Sequence, residues 1–377
     1  MRRKGVQVYN YSAGQPGFPP PEEALEIFIN ELRKRPFELS RYIATKGLHE
    51  LREAISQDIK SHGGPDIDPE DILITTGGVE AVFLALNAVT DPNDRILLLD
   101  PSYSVYWGLT KYLDLKVVTC PQSIDREFQP DRKCIEEVFS KGIKVVLLVS
   151  PDNPTSRVIS EDIAKLIVDL ALDYDAWIIY DEAYKYIFYE GSHVWIQKYS
   201  GAYDITISVN TFSKDIAIPG FRLGYMYGPR EVINQALKLK GYLSITSPVP
   251  AQYLALIALR EGIKDEYLKK VLPIYRSRRD ATYNALIKYL PEAKVWKPPA
   301  GMYLFPDITP YLEKLGMDDI TFTYKLAEAK GVIMLPGSIF GDKGRNHLRI
   351  TFVTQDEERL TKGIELLSEF IKEKELS

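Results

Sequence analysis

The chain has 377 residues, 45% hydrophobic and 26% charged, and its 47 Lys plus Arg against 52 Asp plus Glu give a formal net charge of −5. A chain of this size buries enough surface to fold without disulfide or metal staples, and its length suggests two or three domains. The mildly acidic balance, with no block of like charges, excludes a general binder of nucleic-acid phosphates, and no apolar run approaches the ~20 residues that span a bilayer. Cys120 and Cys134 are the only cysteines. They form no CxxC pair and read as small buried hydrophobes in a reducing compartment. The start, Met1-Arg2-Arg3-Lys4-Gly5, is basic, but Val6–Asn10 follows in place of an apolar segment. No secretory signal is read, and a cytoplasmic protein is expected.

In chain order, short apolar runs recur at Ile72–Thr75, Ile96–Leu99, Lys116–Thr119, Val145–Val149, Trp177–Tyr180, Ile205–Val209 and Leu223–Met226. Val145-Val146-Leu147-Leu148-Val149 shows no polar alternation, as expected of a parallel strand buried on both faces. Helix-length amphipathic stretches separate the runs. In Gly78–Val89, Val82, Leu86 and Val89 recur at helical spacing, and Glu161–Asp173 opens after Ser160 with two acids in its first turn. The pattern predicts an α/β fold whose seven-stranded, mostly parallel sheet is flanked by helices. Further on, one long helix is expected over Asp265–Tyr289, then strands at Val295–Trp296 and Met302–Phe305. A helix near Phe322–Ala329, strands at Val332–Leu335 and His347–Phe352, and a closing helix from Gln355 to Lys372 complete the chain. This is a smaller α+β unit. The expected division is a large domain over 36–270 and a small one from both chain ends, 1–35 and 271–377.

Several common chemistries find no support. His49, His62, His193 and His347 are scattered, and His49-Glu50-Leu51-Arg52-Glu53 lacks the second histidine of a zinc helix. No metal site is expected. There is no GxGxxG after a strand, no GxxxxGK[ST] loop and no GxSxG elbow, which removes the main support for dinucleotide, nucleotide and serine-hydrolase chemistry. What remains is a set of polar groups at strand ends. Asp181 closes the run Trp177–Tyr180, with Tyr184 three residues on. Lys214 follows Val209-Asn210-Thr211-Phe212-Ser213, and Asn153 follows Val149-Ser150-Pro151-Asp152. Taken singly, a strand-end Asp is usually a helix cap, a Lys a solvated surface group and Asn-Pro a turn. An open parallel sheet, however, brings its strand ends to one crevice.

The ordered set Asn153-Pro154-Thr155, Asp181-Glu182-Ala183-Tyr184, Ser213-Lys214 and Arg222-Leu223-Gly224-Tyr225 resembles the fold-type I, class I/II pyridoxal-phosphate (PLP) aminotransferases. The resemblance runs from Ser12-Ala13-Gly14-Gln15-Pro16 to Asn346-His347-Leu348-Arg349-Ile350-Thr351, nearly the whole chain. It implies a transaminase that takes an α-amino acid and a 2-oxo acid and works by a ping-pong mechanism. Lys214 would be the Schiff-base lysine, Asp181 the partner of the ring nitrogen, and Tyr184 and Asn153 the partners of the ring oxygen. Tyr103 would stack on the ring. Gly78 and Val79 at a helix N-terminus, Thr211, Ser213 and Arg222 would hold the phosphate, with Tyr42 reaching it from a neighbouring subunit of a homodimer. Arg349 and the Gly14 N–H would grip the substrate carboxylate. A β-lyase on the same scaffold is the nearest alternative. A regulatory aminotransferase-like domain is disfavoured, because the substrate loop begins by residue 12 and leaves no room for a DNA-binding module before it.

Three positions depart from the family pattern. Ser156 replaces the usual Gly after Asn-Pro-Thr, which should matter little unless the backbone there needs positive φ. Val79 stands where some aspartate-type members carry a lysine that reads a distal carboxylate, pointing to a broader, neutral or aromatic preference. Gln15 replaces the more usual Glu, with no consequence that the sequence reveals.

Overall fold

A computed structural model describes residues 7–376, so the basic start of the chain lies outside the described residues. Strand β1 is Tyr9–Asn10, and the seven that follow are β2 (Ile72–Thr75), β3 (Arg95–Asp100), β4 (Lys116–Pro121), β5 (Val145–Val149), β6 (Trp177–Asp181), β7 (Thr206–Thr211) and β8 (Gly224–Tyr227). Strands β2 to β8 form one sheet in the order β2-β8-β7-β6-β5-β3-β4. Only β8 runs antiparallel to its neighbours, β2 and β7. Every expected run is a strand of this sheet, and the α/β class holds.

The unbroken apolar runs follow from burial on both faces. Ile96, Leu98, Val145 and Leu147 pack with Val82 and Leu86 of the helix Gly78–Val89. Leu97, Leu99, Val146 and Leu148, one residue out of phase, pack with Ile163 and Ile167 of Glu161–Asp173 on the other face. Over the β2–β8 edge lies a third core, in which Ala24 and Phe28 of the helix Glu22–Lys34 meet Leu51, Ile72 and Leu254.

The remaining strands are short: β9 (Tyr303–Leu304), β10 (Val332–Ile333), β11 (Leu335–Pro336) and β12 (Leu348–Thr351). β1 pairs in parallel with β10, and β11-β12-β9 make a separate antiparallel sheet. Their core joins Tyr9 and Tyr11 to Leu286, Leu304, Ile350 and Leu360. Residues 7–35 therefore divide by packing: the strand joins the C-terminal unit, and the helix joins the large sheet. The helices Ile263–Tyr289, Asp319–Lys330 and Glu357–Glu375 lie where expected, but Val295–Trp296 is not a strand. The residue before it, Lys294, makes an isolated bridge to Asp307.

The cysteines require a correction. Cys120, near the end of β4, and Cys134, in the helix Arg132–Ser140, are joined in a disulfide with their Cα atoms 5.8 Å apart. Asp131 caps that helix, accepting from the N–H groups of Lys133 and Cys134. A 14-residue separation is no motif, so nothing in the spacing revealed the pairing. The expectation of a reducing compartment rested on free thiols and loses that support. No described helix is long and apolar enough to cross a membrane.

Candidate active site

The carboxyl ends of β2, β5, β6 and β7 open onto one cavity of about 450 Å³. Every expected site residue lines it except Tyr42, which is 79% exposed elsewhere on the surface. Two further groups, Tyr106 and Tyr303, were not expected in this role. Tyr303 on β9 comes from the small sheet, so the cavity lies between the two units.

β7 ends at Thr211, whose hydroxyl accepts a hydrogen bond from the Ser213 N–H and caps the one-turn helix Phe212–Asp215. That turn brings Lys214 into the cavity, where its Nζ donates to the Gly14 carbonyl at 2.6 Å. Burial pulls the ammonium below its usual range, and the Arg349 and Arg222 charges push the same way. A lysine in such a place readily gives up its proton and becomes a nucleophile.

Asp181 closes β6. It accepts from the Tyr106 hydroxyl and from the Ala183 N–H at 2.9 Å. Burial pushes its carboxyl up to about 6, against the pull of the Tyr106 hydrogen bond, so it is an anion at neutral pH. Glu182, the next residue, belongs to a buried network with Gln197, Tyr227 and Lys185 behind the strand ends. Two adjacent acids thus serve opposite sides of one strand end.

An anion cradle faces this wall. Gly77, at φ +84°, starts the helix Gly78–Val89, whose first N–H groups lack intrahelical partners. Arg222, itself at φ +56°, lies so close that a Cβ on Gly77 would stand 2.5 Å from its Nη2. The Ser213 hydroxyl, 2.8 Å from that of Thr211, completes the polar rim. Backbone donors, a helix N-terminus and a guanidinium together form a phosphate-type site.

The opposite end is cationic and partly unsatisfied. Arg349 on β12 is 5% exposed and donates from Nη2 to the Ser12 carbonyl at 2.6 Å and from Nη1 to Asn153 Oδ1 at 3.2 Å. Its Nε is buried without a partner. Its guanidinium lies 4.5 Å over the Tyr303 ring, and the Tyr303 and Tyr184 hydroxyls are 2.9 Å apart. Tyr103 meets Tyr106 edge-on at 5.4 Å in the cavity wall.

Tyr106 and Tyr303 are the site groups that sequence reasoning missed. Tyr106 follows Tyr103 by three residues at a helix start, a spacing that could have suggested a shared face. Tyr303, inside the apolar run Met302–Phe305, carries no such signal. A metal reading gains little either. Asp58, His62 and Asp265 bring ligand atoms within 4.8 Å of one another. The Lys264 ammonium, however, already pairs with both carboxylates.

Comparison with known proteins places this geometry in context. A family model described as aminotransferase class I and II matches residues 6–367. An aspartate aminotransferase of Pyrococcus horikoshii is 31% identical over 94% of this chain and 88% of its own. A probable aspartate/prephenate aminotransferase of Aquifex aeolicus is 31% identical over 99% of this chain and 93% of its own. Among solved structures, an aromatic aminotransferase from Pyrococcus horikoshii superposes with a TM-score of 0.91 at 27% identity, covering 100% of this chain and 99% of its own.

Proposed function

The chain belongs to the class I and II aminotransferases and is a transaminase, and on that premise we propose that its cavity holds PLP on Lys214. The observation that carries this reading is the placement of the Lys214 amine. It is desolvated, it lies in one cavity with the half-buried Asp181 carboxylate, and the same cavity is lined by the Gly78–Arg222 cradle. A flat heteroaromatic ring with a basic nitrogen at one end and a phosphate at the other suits that donor set. When bound, PLP supplies an electron sink that acidifies the α-proton of an amino acid.

The chain's own residues do the rest. Asp181 would keep a proton on the ring nitrogen, since an anion beside a base favours its charged form. Arg349 orients the substrate by its α-carboxylate, with the spare Nε–H as an additional donor. Once the substrate amine had displaced it, Lys214 Nζ would move the proton between the substrate Cα and the cofactor's C4′, acting as base and then as acid. Tyr184 and Asn153 would donate to the ring oxygen, and Tyr103 would stack on the ring. Val79 is 40% exposed at the cavity mouth. An apolar group there supports neutral or aromatic side chains over a second carboxylate.

We also propose a homodimer of two-body subunits. Tyr42, Phe37 and Tyr242 are 79%, 69% and 90% exposed, and Ala44–Lys46 line one surface depression with Tyr242. Exposed aromatics of that kind mark a partner surface, and Tyr42 would reach the phosphate of the other subunit.

The test is spectroscopic. Purified protein given PLP should develop a visible absorption band that Lys214→Ala abolishes, and amino acids should bleach it in half-reactions. Protein that takes up no PLP would overturn the cofactor reading.

A further inference from the structure

Ser156 is fully buried at φ +61°, in the left-handed region that favours glycine. The sequence expectation that a serine matters little here held only for a position without positive φ, and the structure has positive φ. A glycine would occupy this backbone without strain, so the serine must add something. Its Oγ accepts a hydrogen bond from the Tyr303 N–H at 3.0 Å. The opposite wall is shaped for that hydroxyl: Gly301 has φ +75°, and a Cβ there would lie 2.5 Å from Ser156 Oγ. The bond ties the loop after β5 to β9, across the junction of the two sheets.

Tyr303 is the residue so held. Its backbone pairs with Thr351 on β12, and Arg349 lies two residues along that strand, on the same face. Its ring carries the Arg349 guanidinium at 4.5 Å, and its hydroxyl stands 2.9 Å from that of Tyr184. Each phenol has one proton to give. If Tyr184 donates to the ring oxygen of PLP, the proton between the two phenols must come from Tyr303. A hydroxyl that accepts a hydrogen bond becomes a stronger donor, so donation from Tyr303 would strengthen donation by Tyr184.

We propose that Ser156 is a positioning residue: its hydroxyl holds Tyr303 so that the Tyr303 phenol donates to Tyr184 and strengthens the Tyr184 hydrogen bond to the cofactor's ring oxygen. This rests on the PLP reading above. The role belongs to a residue by which this chain departs from the family pattern, and it reaches the cofactor through Tyr303 and Tyr184.

The experiment is a pH titration of the visible absorption band of the PLP-loaded enzyme. It compares wild type, Tyr303→Phe, Ser156→Ala, Ser156→Gly and the double variant Ser156→Ala/Tyr303→Phe. Weaker donation to the ring oxygen makes the cofactor's imine more basic, so Tyr303→Phe should raise the midpoint by about half a unit to one unit. Ser156→Ala and Ser156→Gly should shift it in the same direction by less, and the double variant should match Tyr303→Phe alone, because both changes act through one bond. Ser156→Gly relieves the backbone strain and keeps the test open if the alanine variant folds poorly. Wild-type titration in both Ser156 variants, or additive shifts in the double variant, would overturn the proposal while leaving the cofactor reading intact. A wild type that never develops the band removes the cofactor reading, and this inference with it.

Discussion

Asp181 shows how one side chain can serve the site at the expense of the fold. Its carboxyl is pushed up to about 6 by burial, with the Tyr106 hydrogen bond opposing, whereas in an unfolded chain it titrates near ~3.9. The native protein without cofactor therefore binds this proton more tightly than the unfolded chain does. The stability this group contributes is complete below about pH 4 and is lost as the pH rises through about 6. Asp181→Asn should accordingly stabilise the cofactor-free protein at pH 8, by about 2–3 kcal/mol, and have little effect at pH 4. If Asp181 partners the ring nitrogen of PLP as proposed, the same substitution should lower transamination by at least about tenfold, since that nitrogen would lose the anion that keeps it protonated. Thermal melts at the two pH values, beside half-reaction rates, check both parts; equal melting shifts at pH 4 and pH 8 would contradict the linkage. Asp181, Lys214 and Asn153 were legible in the sequence because each follows an apolar strand run. Tyr303 was not, because a tyrosine inside such a run reads as core until a partner sheet sets its hydroxyl beside another.

Among the elements, β8 carries the tightest constraint. Gly224 lies where an added Cβ would stand 2.6 Å from the Asn210 carbonyl of β7 and 2.7 Å from the Gly77 backbone. The antiparallel strand can therefore approach both its neighbour and the anion cradle only with glycine at this point. Gly224→Ala should push the strand from the Gly77–Gly78 turn, cost about 1–3 kcal/mol of stability and loosen PLP binding more than substrate binding. Cofactor affinity measured by absorbance, set against KM for the amino donor, separates the two; unchanged affinity would mean the turn tolerates the shift. Strands β3 and β5 were the most readable, because burial on both faces leaves Val, Ile and Leu unbroken along them. The short strands β9 and β10 fell inside the expected runs Met302–Phe305 and Val332–Leu335, but two-residue β1 carried no period, and the break that separates β10 from β11 was not legible. Val295–Trp296 has the apolar character of a strand without a neighbour to pair with, so local composition misled there.

For the molecule as a whole, what a single subunit leaves undone is most informative. The disulfide between Cys120 and Cys134 closes a short loop at the far edge strand β4. Cys134→Ser should cost roughly 2–3 kcal/mol by the chain-entropy model while leaving the visible band unchanged. Reducing agent should lower the melting temperature of wild type but not of the variant. Tyr42 presents the opposite case: a residue expected at the phosphate that its own cavity does not contain, on a surface where Phe37 and Tyr242 are also exposed. If two subunits exchange this tyrosine, each site needs Lys214 from one chain and Tyr42 from the other. Tyr42→Phe should then weaken PLP binding by about tenfold, the loss of one hydrogen bond to a charged group, and Lys214→Ala should abolish the band. A dimer of one Tyr42→Phe subunit and one Lys214→Ala subunit holds one site with both native residues and one with neither. Random reassociation of equal amounts should restore wild-type affinity to about a quarter of all sites. Titration of the mixture with PLP would show this as a tight phase absent from either variant alone. Failure to recover that phase after verified subunit exchange, or sedimentation of the wild type as a monomer, would show that each cavity works without its neighbour.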